Sequence, residues 1–154
     1  MRTFYKINTN KTASIGSGTV VPKGFIKYTK GSEPQKLIDA LFIMSKPTKL
    51  NELQTTYNSA NEIDIAYMGT TFQADKQSQD LITAILAGGA VPIGFAWRDN
   101  TKPTNVDVPM TFTEFQGLSQ AIVSRGQGNW IKYQGLKGQV PLATTQADLD
   151  LIVW

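Results

Sequence analysis

Four acidic residues come in pairs spaced by two, Glu62 with Asp64 and Asp148 with Asp150. On a strand, residues i and i+2 share a face, so Glu62 and Asp64 would stand side by side. There they could hold a cation or divide acid and base roles; the alternative is a solvent face opposite Ile63 and Ile65. Asp148 and Asp150 fall where a short helix begins, and negative charge interacts favourably with the dipole there. Gly16-Ser17-Gly18 lacks the lysine and the spacing of a phosphate loop, and reads as a flexible, turn-like connection. The sequence contains no histidine and no cysteine. A cysteine nucleophile and a triad with a histidine base are therefore excluded, and a structural zinc site has no suitable ligands. No catalytic residue, cofactor or metal ligand is assigned, and a protein that is not an enzyme is expected.

Residues suited to binding are easier to point to. Trp97, Arg98 and Lys102 combine an aromatic ring with positive charge, as single-stranded nucleic-acid sites do. Asp99 and Asp107 lie among them, so a surface hairpin is expected in place of a nucleic-acid contact. Trp130 follows the glycine-rich stretch Gly126-Gln127-Gly128-Asn129 and suits core packing, a subunit contact or stacking on a pyranose. The net charge of +3 is unevenly placed: residues 1–49 carry nine bases against Glu33 and Asp39, and residues 50–154 carry six bases against ten acids. Such asymmetry suits a basic half that docks on an acidic partner, with Lys23 and Lys27 as its contact residues.

The elements that must position these residues follow from periodicity and punctuation. Thr3 to Ile7 reads as a strand. Thr19-Val20-Val21 and Phe25-Ile26-Lys27-Tyr28 flank Val21-Pro22-Lys23-Gly24, a type I turn pattern that predicts a hairpin. Leu37, Ile38, Leu41 and Phe42 have helical spacing, and Pro47 is expected to end that helix. Leu50, Leu53 and Tyr57 suggest another short helix. Ile63, Ile65 and Tyr67 alternate as in a strand, and Gly69 makes the bend into the next segment. Asp75 or Ser78 heads a helix running to about Ala87. Ile93 to Trp97 and Val106 to Val108 read as strands around a polar turn containing Pro103. Thr111 with Glu114 forms a capping box ahead of a long helix whose apolar face holds Phe115, Leu118, Ile122, Trp130, Tyr133 and Leu136. Its glycines imply either a break near Gly126–Gly128 or close approach by another helix. A short helix begins near Thr145.

Taken in order, Phe72-Gln73-Ala74-Asp75, Ser78 at the head of an apolar helix, Trp97, Met110-Thr111, Leu136-Lys137 and the final Ile152-Val153-Trp154 resemble a C-terminal domain of unknown function found in small bacteriophage tail-fibre-associated proteins. The resemblance covers slightly more than half the chain and contains no catalytic motif. It implies a non-enzymatic structural or accessory part of a phage tail, at the tip, baseplate or fibre apparatus, acting by contact with other tail or fibre proteins and forming a homo-oligomer if it self-associates. It places the protein in the virion, and in the host cytoplasm during assembly. Two alternatives are a fibre-assembly chaperone absent from the virion and a carbohydrate-binding receptor module.

The expected fold is therefore α+β. A small N-terminal hairpin-and-helix attachment module covers residues 1–47, a connecting segment 48–69, and a compact C-terminal module with a hairpin and a long helix 70–154. No signal peptide or membrane span is expected, because Met1 to Tyr5 has no apolar run behind it and Leu81 to Trp97 is interrupted by Gly88, Gly89 and Pro92. Phe115, Ile122, Ile152 and Trp154 are assigned structural roles, with Leu149, Ile152 and Trp154 folding back over the hairpin at Trp97 or the long helix near Ile122.

Overall fold

The computed structural model describes residues 2–8, 13–18, 20, 23–29, 32–100 and 106–154. The fold is α+β. Its elements in chain order are β1 (Arg2–Ile7), β2 (Ala13–Gly18), β3 (Ile26–Tyr28), α1 (Gln35–Glu62), β4 (Ile65–Tyr67), β5 (Thr70–Phe72), α2 (Lys76–Gly88), β6 (Ala96–Asp99), β7 (Val106–Pro109), α3 (Phe112–Gln139) and α4 (Gln146–Asp150). Among the described residues no helix is long and apolar enough to cross a membrane.

The chain forms two compact units whose bounds differ from the modules read in the sequence. Unit 1 is Met1–Leu53 with Leu136–Val153, and unit 2 is Gln54–Gly135 with Trp154. The chain thus leaves unit 1 inside α1 and returns to it inside α3.

Pro47 does not end the first helix. It lies inside α1, so the two short helices expected there are one. An interior proline loses one backbone hydrogen bond and crowds the preceding turn, at a cost of about 3 kcal/mol. Tertiary contacts hold the helix through it. The Lys46 ammonium donates to the carbonyls of Pro141 (3.1 Å) and Ala143 (2.8 Å) and sits 4.8 Å from the centre of the Phe42 ring. Neighbouring Ser45 donates its hydroxyl to the Phe42 carbonyl at 2.7 Å.

In unit 1 the sheet order is β2-β1-β3, all antiparallel. The first arm of the expected hairpin, Thr19-Val20-Val21, falls largely outside the described residues; its second arm lies in β3, which pairs with β1 on the far side from β2. Val21 and Pro22 lie outside the described residues, and Gly24 has a positive φ of 84°. Ile15-Gly16-Ser17-Gly18 is no loose turn but most of β2. Gly16 serves close approach, since a Cβ there would meet the Phe4 ring at 2.5 Å. Strand alternation sends Tyr5 and Ile7 of β1, with Tyr28 of β3, against Leu37 and Ala40 of α1. Val140, Ala143, Leu149 and Ile152 are also buried in this unit.

α4 starts with a complete capping box. Thr145 accepts from the Asp148 N–H through its hydroxyl, and the Asp148 carboxylate accepts from the Thr145 N–H. The Thr144 hydroxyl and N–H donate to the same carboxylate, and together these donors hold its pKa down, from an ordinary 3.8 to about 2. A depressed carboxylate stabilises the fold above its unfolded pKa and loses that contribution as pH falls through the folded value. α4 should therefore loosen between about pH 4 and pH 2. Protection of the Thr144, Thr145 and Asp148 amides against exchange, relative to the intrinsic rate at each pH, should fall across that range in the wild type, and Asp148→Asn should flatten the change.

In unit 2 the sheet order is β4-β5-β6-β7. Met68 (φ 52°) and Gly69 (φ 76°) supply the two positive φ values that a two-residue hairpin between β4 and β5 needs. β4 is shorter than the alternation suggests, because α1 continues to Glu62 and leaves Ile63 exposed. β6 likewise starts late. Gly94 (φ 78°) and a bond from the Phe95 N–H to the Pro92 carbonyl make a turn over residues 93–95, where the sequence predicts strand. Residues 101–105, with Lys102 and Pro103, lie outside the described residues.

Asp75 is the N-cap of α2 and Gly89 its left-handed C-cap. Thr111 and Glu114 form the box at the head of α3, which then runs unbroken through Gly126 and Gly128. The core of this unit gathers Phe72, Ile82, Ile85, Trp97, Met110, Phe115 and Leu118, with Ile122 and Tyr67 packed at its edge.

Candidate functional site

The outer face of the unit 1 sheet is basic. Phe4 and Lys6 of β1 point away from α1, and Lys27 lies directly opposite Phe4, so all three share that face. Lys6, Lys23 and Lys27 are exposed, and a Cβ on Gly24 would lie 3.9 Å from Cε of Lys6, which places Lys6 beside the Lys23–Gly24 turn. The sheet therefore puts Lys27 on one face with Lys6, and Lys23 is exposed in the turn ahead of β3. Phe4 is edge-on to Phe25 with ring centres 5.3 Å apart, which anchors the middle of the face. A groove of about 480 Å³ also opens in this unit, with Ile38, Leu41 and Phe42 of α1 along it and Glu33 and Asp39 at its rim.

Trp97 and Arg98 part company. Trp97 is 5% exposed, its indole N–H donates to the Gln73 carbonyl at 3.1 Å, and its ring meets Phe115 edge-on at 5.2 Å. It is a core residue, so the expected role as an exposed contact does not fit its position. Strand alternation explains the difference: Trp97 and Asp99 face inward while Arg98 between them is exposed. Arg98 pairs in register with Asp107 of β7. Both line a cleft of about 400 Å³ together with Gln73, Gln77, Ser78 and Phe95.

Trp130 is half-exposed on α3 and belongs to an aromatic group on unit 2. Tyr57 of α1 stacks on Tyr133 with centres 5.0 Å apart, and Trp130 lies 6.2 Å from each of them. Trp154 joins the same group, 6.4 Å from Tyr57, with the Lys132 ammonium 4.8 Å from its ring centre. The terminal tryptophan therefore packs against Tyr57 and under Lys132, in place of the expected cover over Trp97 or Ile122. Ile152 and Leu149 are buried in unit 1.

Glu62 and Asp64 are separated by the end of α1, and Asp64 accepts from the Asn100 amide at 2.8 Å. Among the described residues no three acidic side chains gather in a metal-holding arrangement.

Sequence reasoning missed the polar clasp at the end of α1. The last carbonyls of a helix have no partner inside it. Here the Arg125 guanidinium donates to the carbonyls of Ile63 and Asn61, Asn129 donates to the Ala60 carbonyl (3.1 Å) and the Asn61 side chain (2.8 Å), and Gln79 donates to the Asn61 carbonyl (2.6 Å). Burial lowers the Arg125 pKa, opposed by the charge of Asp64. The available signal was the i, i+4 placement of Arg125 and Asn129, which puts both on one face of α3.

The sequence matches the family described as a domain of unknown function (DUF4376) over residues 44–153, more than two thirds of the chain. No curated protein and no solved structure matches it.

Proposed function

This chain belongs to the DUF4376 family, and we propose that it is a non-enzymatic accessory component of a bacteriophage tail, acting through protein–protein contact in the tip, baseplate or fibre apparatus. The phage assignment is supported by the order of residues from Phe72 to Trp154 described above. The contact surface is carried by one observation, the exposed Lys6 and Lys27 on one face of the unit 1 sheet, with exposed Lys23 in the turn ahead of β3. Its partner is a tail or fibre protein with an acidic patch. Exposed complementary charges act mainly on encounter, so association should slow as salt rises.

Reversing Lys23 and Lys27 to Glu should lower the association rate by about tenfold or more at low salt, and the wild-type rate should fall toward that of the variant in high salt. An unchanged rate in the double variant would place the contact elsewhere. Mass spectrometry of purified particles tests the larger assignment. Stoichiometric presence supports a virion component, whereas presence only in infected-cell lysate supports a fibre-assembly chaperone.

A further inference from the structure

We propose that the cleft beside β6 in unit 2 is a binding site for a neutral mono- or disaccharide. This goes beyond the tail assignment and does not depend on it. At about 400 Å³ the cleft falls within the range of small-molecule sites. Its walls differ in chemistry. Leu81 on α2 and Phe95 before β6 form an apolar strip, with Trp97 behind Phe95 at a ring distance of 5.8 Å. Gln73, Gln77 and Ser78 give amide and hydroxyl groups on the α2 side, and Arg98 and Asp107 give a guanidinium and a carboxylate on the strand side.

The two charged groups stand side by side. They are in-register partners on β6 and β7, and both are exposed. Other walls of the cleft are fixed. The Ser78 hydroxyl and the Gln73 amide both donate to the Asp75 carboxylate, at 3.0 and 2.5 Å, leaving an acceptor oxygen on each.

These groups discriminate among ligand classes. An anion would meet Asp107, and Asp75 already occupies the N–H of Ser78 at the head of α2. A cation would meet Arg98. A wholly apolar ligand would desolvate both charged groups without replacing their hydrogen bonds, which is unfavourable. A sugar hydroxyl both donates and accepts, so it can serve Asp107, Arg98 and the amides together. The C–H face of a pyranose can then lie along Phe95 and Leu81.

The test uses the full chain on a glycan array and in ligand-observed NMR with methyl pyranosides, neutral disaccharides and free amino acids. Saturable saccharide binding is expected, weakened about tenfold or more by Arg98→Ala and by Asp107→Ala, each of which removes a charge-assisted hydrogen bond. Both residues are exposed, so thermal melts of the two variants should match the wild type. Trp130→Ala should leave binding unchanged. The proposal is overturned if no saccharide binds in either assay, or if binding survives both cleft substitutions. Loss of binding in Trp130→Ala would move the site to the aromatic group on α1 and α3. Preference for free amino acids would show that Arg98 and Asp107 read a zwitterion and no sugar.

Discussion

Replacing Phe115 by Ala is expected to cost about 3–5 kcal/mol, the range for truncating a fully buried aromatic residue. Phe115 has no exposed surface, and its ring meets Phe95 and Trp97 edge-on at 5.7 and 5.2 Å. Removing it deletes apolar burial and two aromatic contacts and leaves a cavity against Trp97. Since a domain of this kind is stable by about 5–15 kcal/mol in total, unit 2 should lose a large share of its margin. Urea unfolding followed by tryptophan fluorescence should show a sharply lowered midpoint. Trp130→Ala supplies the contrast: its side chain is larger but half-exposed, and the cost should be much smaller. A loss below about 1 kcal/mol for Phe115→Ala would contradict the described core.

The second large effect reverses a familiar rule. In a helix interior Gly→Ala usually stabilises by up to about 1 kcal/mol. At Gly117 it should destabilise by about 1–3 kcal/mol, because the added Cβ would overpack the core. That Cβ would lie 1.9 Å from the Tyr67 hydroxyl oxygen and 2.7 Å from Cζ of the same ring. Moving the hydroxyl alone is not enough; the ring itself must shift, and it is packed against the core beside Phe72. Tyr67→Ala should then change the sign, so that Gly117→Ala becomes neutral or favourable in that background. Gly128→Ala and Gly135→Ala, where a Cβ would meet nothing within 4 Å, should follow the ordinary rule. A double-mutant cycle with equilibrium denaturation reads all of these, and a Gly117→Ala effect independent of Tyr67 would disprove the proposed contact.

The features that sequence revealed are those fixed by neighbours a few residues away. The box at Thr111–Glu114, the helix start at Thr145, the cap at Asp75 and the turn at Gly69 are local chemistry, and each occurs where the residue types place it. Features decided by distant partners were misread. Pro47 looked like a helix end because its cost is local, while the bonds from Lys46 to Pro141 and Ala143 span more than ninety residues. Gly16 looked flexible because the Phe4 ring that crowds it belongs to another strand. The pairing of β3 with β1 also could not be read from the turn alone, since a turn pattern names a bend and not the strand that follows it.

The binding side was legible unevenly for the same reason. Charge is additive along the chain, so the basic bias around Lys23 and Lys27 was visible, and exposure on one sheet face followed from strand alternation. Aromatic residues are ambiguous, because the same ring serves a core or a contact. Trp97 went to the core and Trp130 to the half-exposed group, a division set by packing. The cleft at Arg98 and Asp107 needs α2 beside β6, a juxtaposition with no local signature.

The clasp on α1 bears on the order in which the chain consolidates. Asn61 is joined to Gln79 across 18 residues, to Arg125 across 64 and to Asn129 across 68. The entropy of closing the longer loops must be met before those bonds return anything, whereas the hairpin of β4 and β5 and the capped head of α2 close locally. The clasp is therefore expected to close late. Contacts absent from the transition state govern escape from the native state and have little influence on the approach to it. The donors gathered at Asn61 thus act on the lifetime of the folded unit, slowing its opening, and leave the speed of folding to the local elements that precede them.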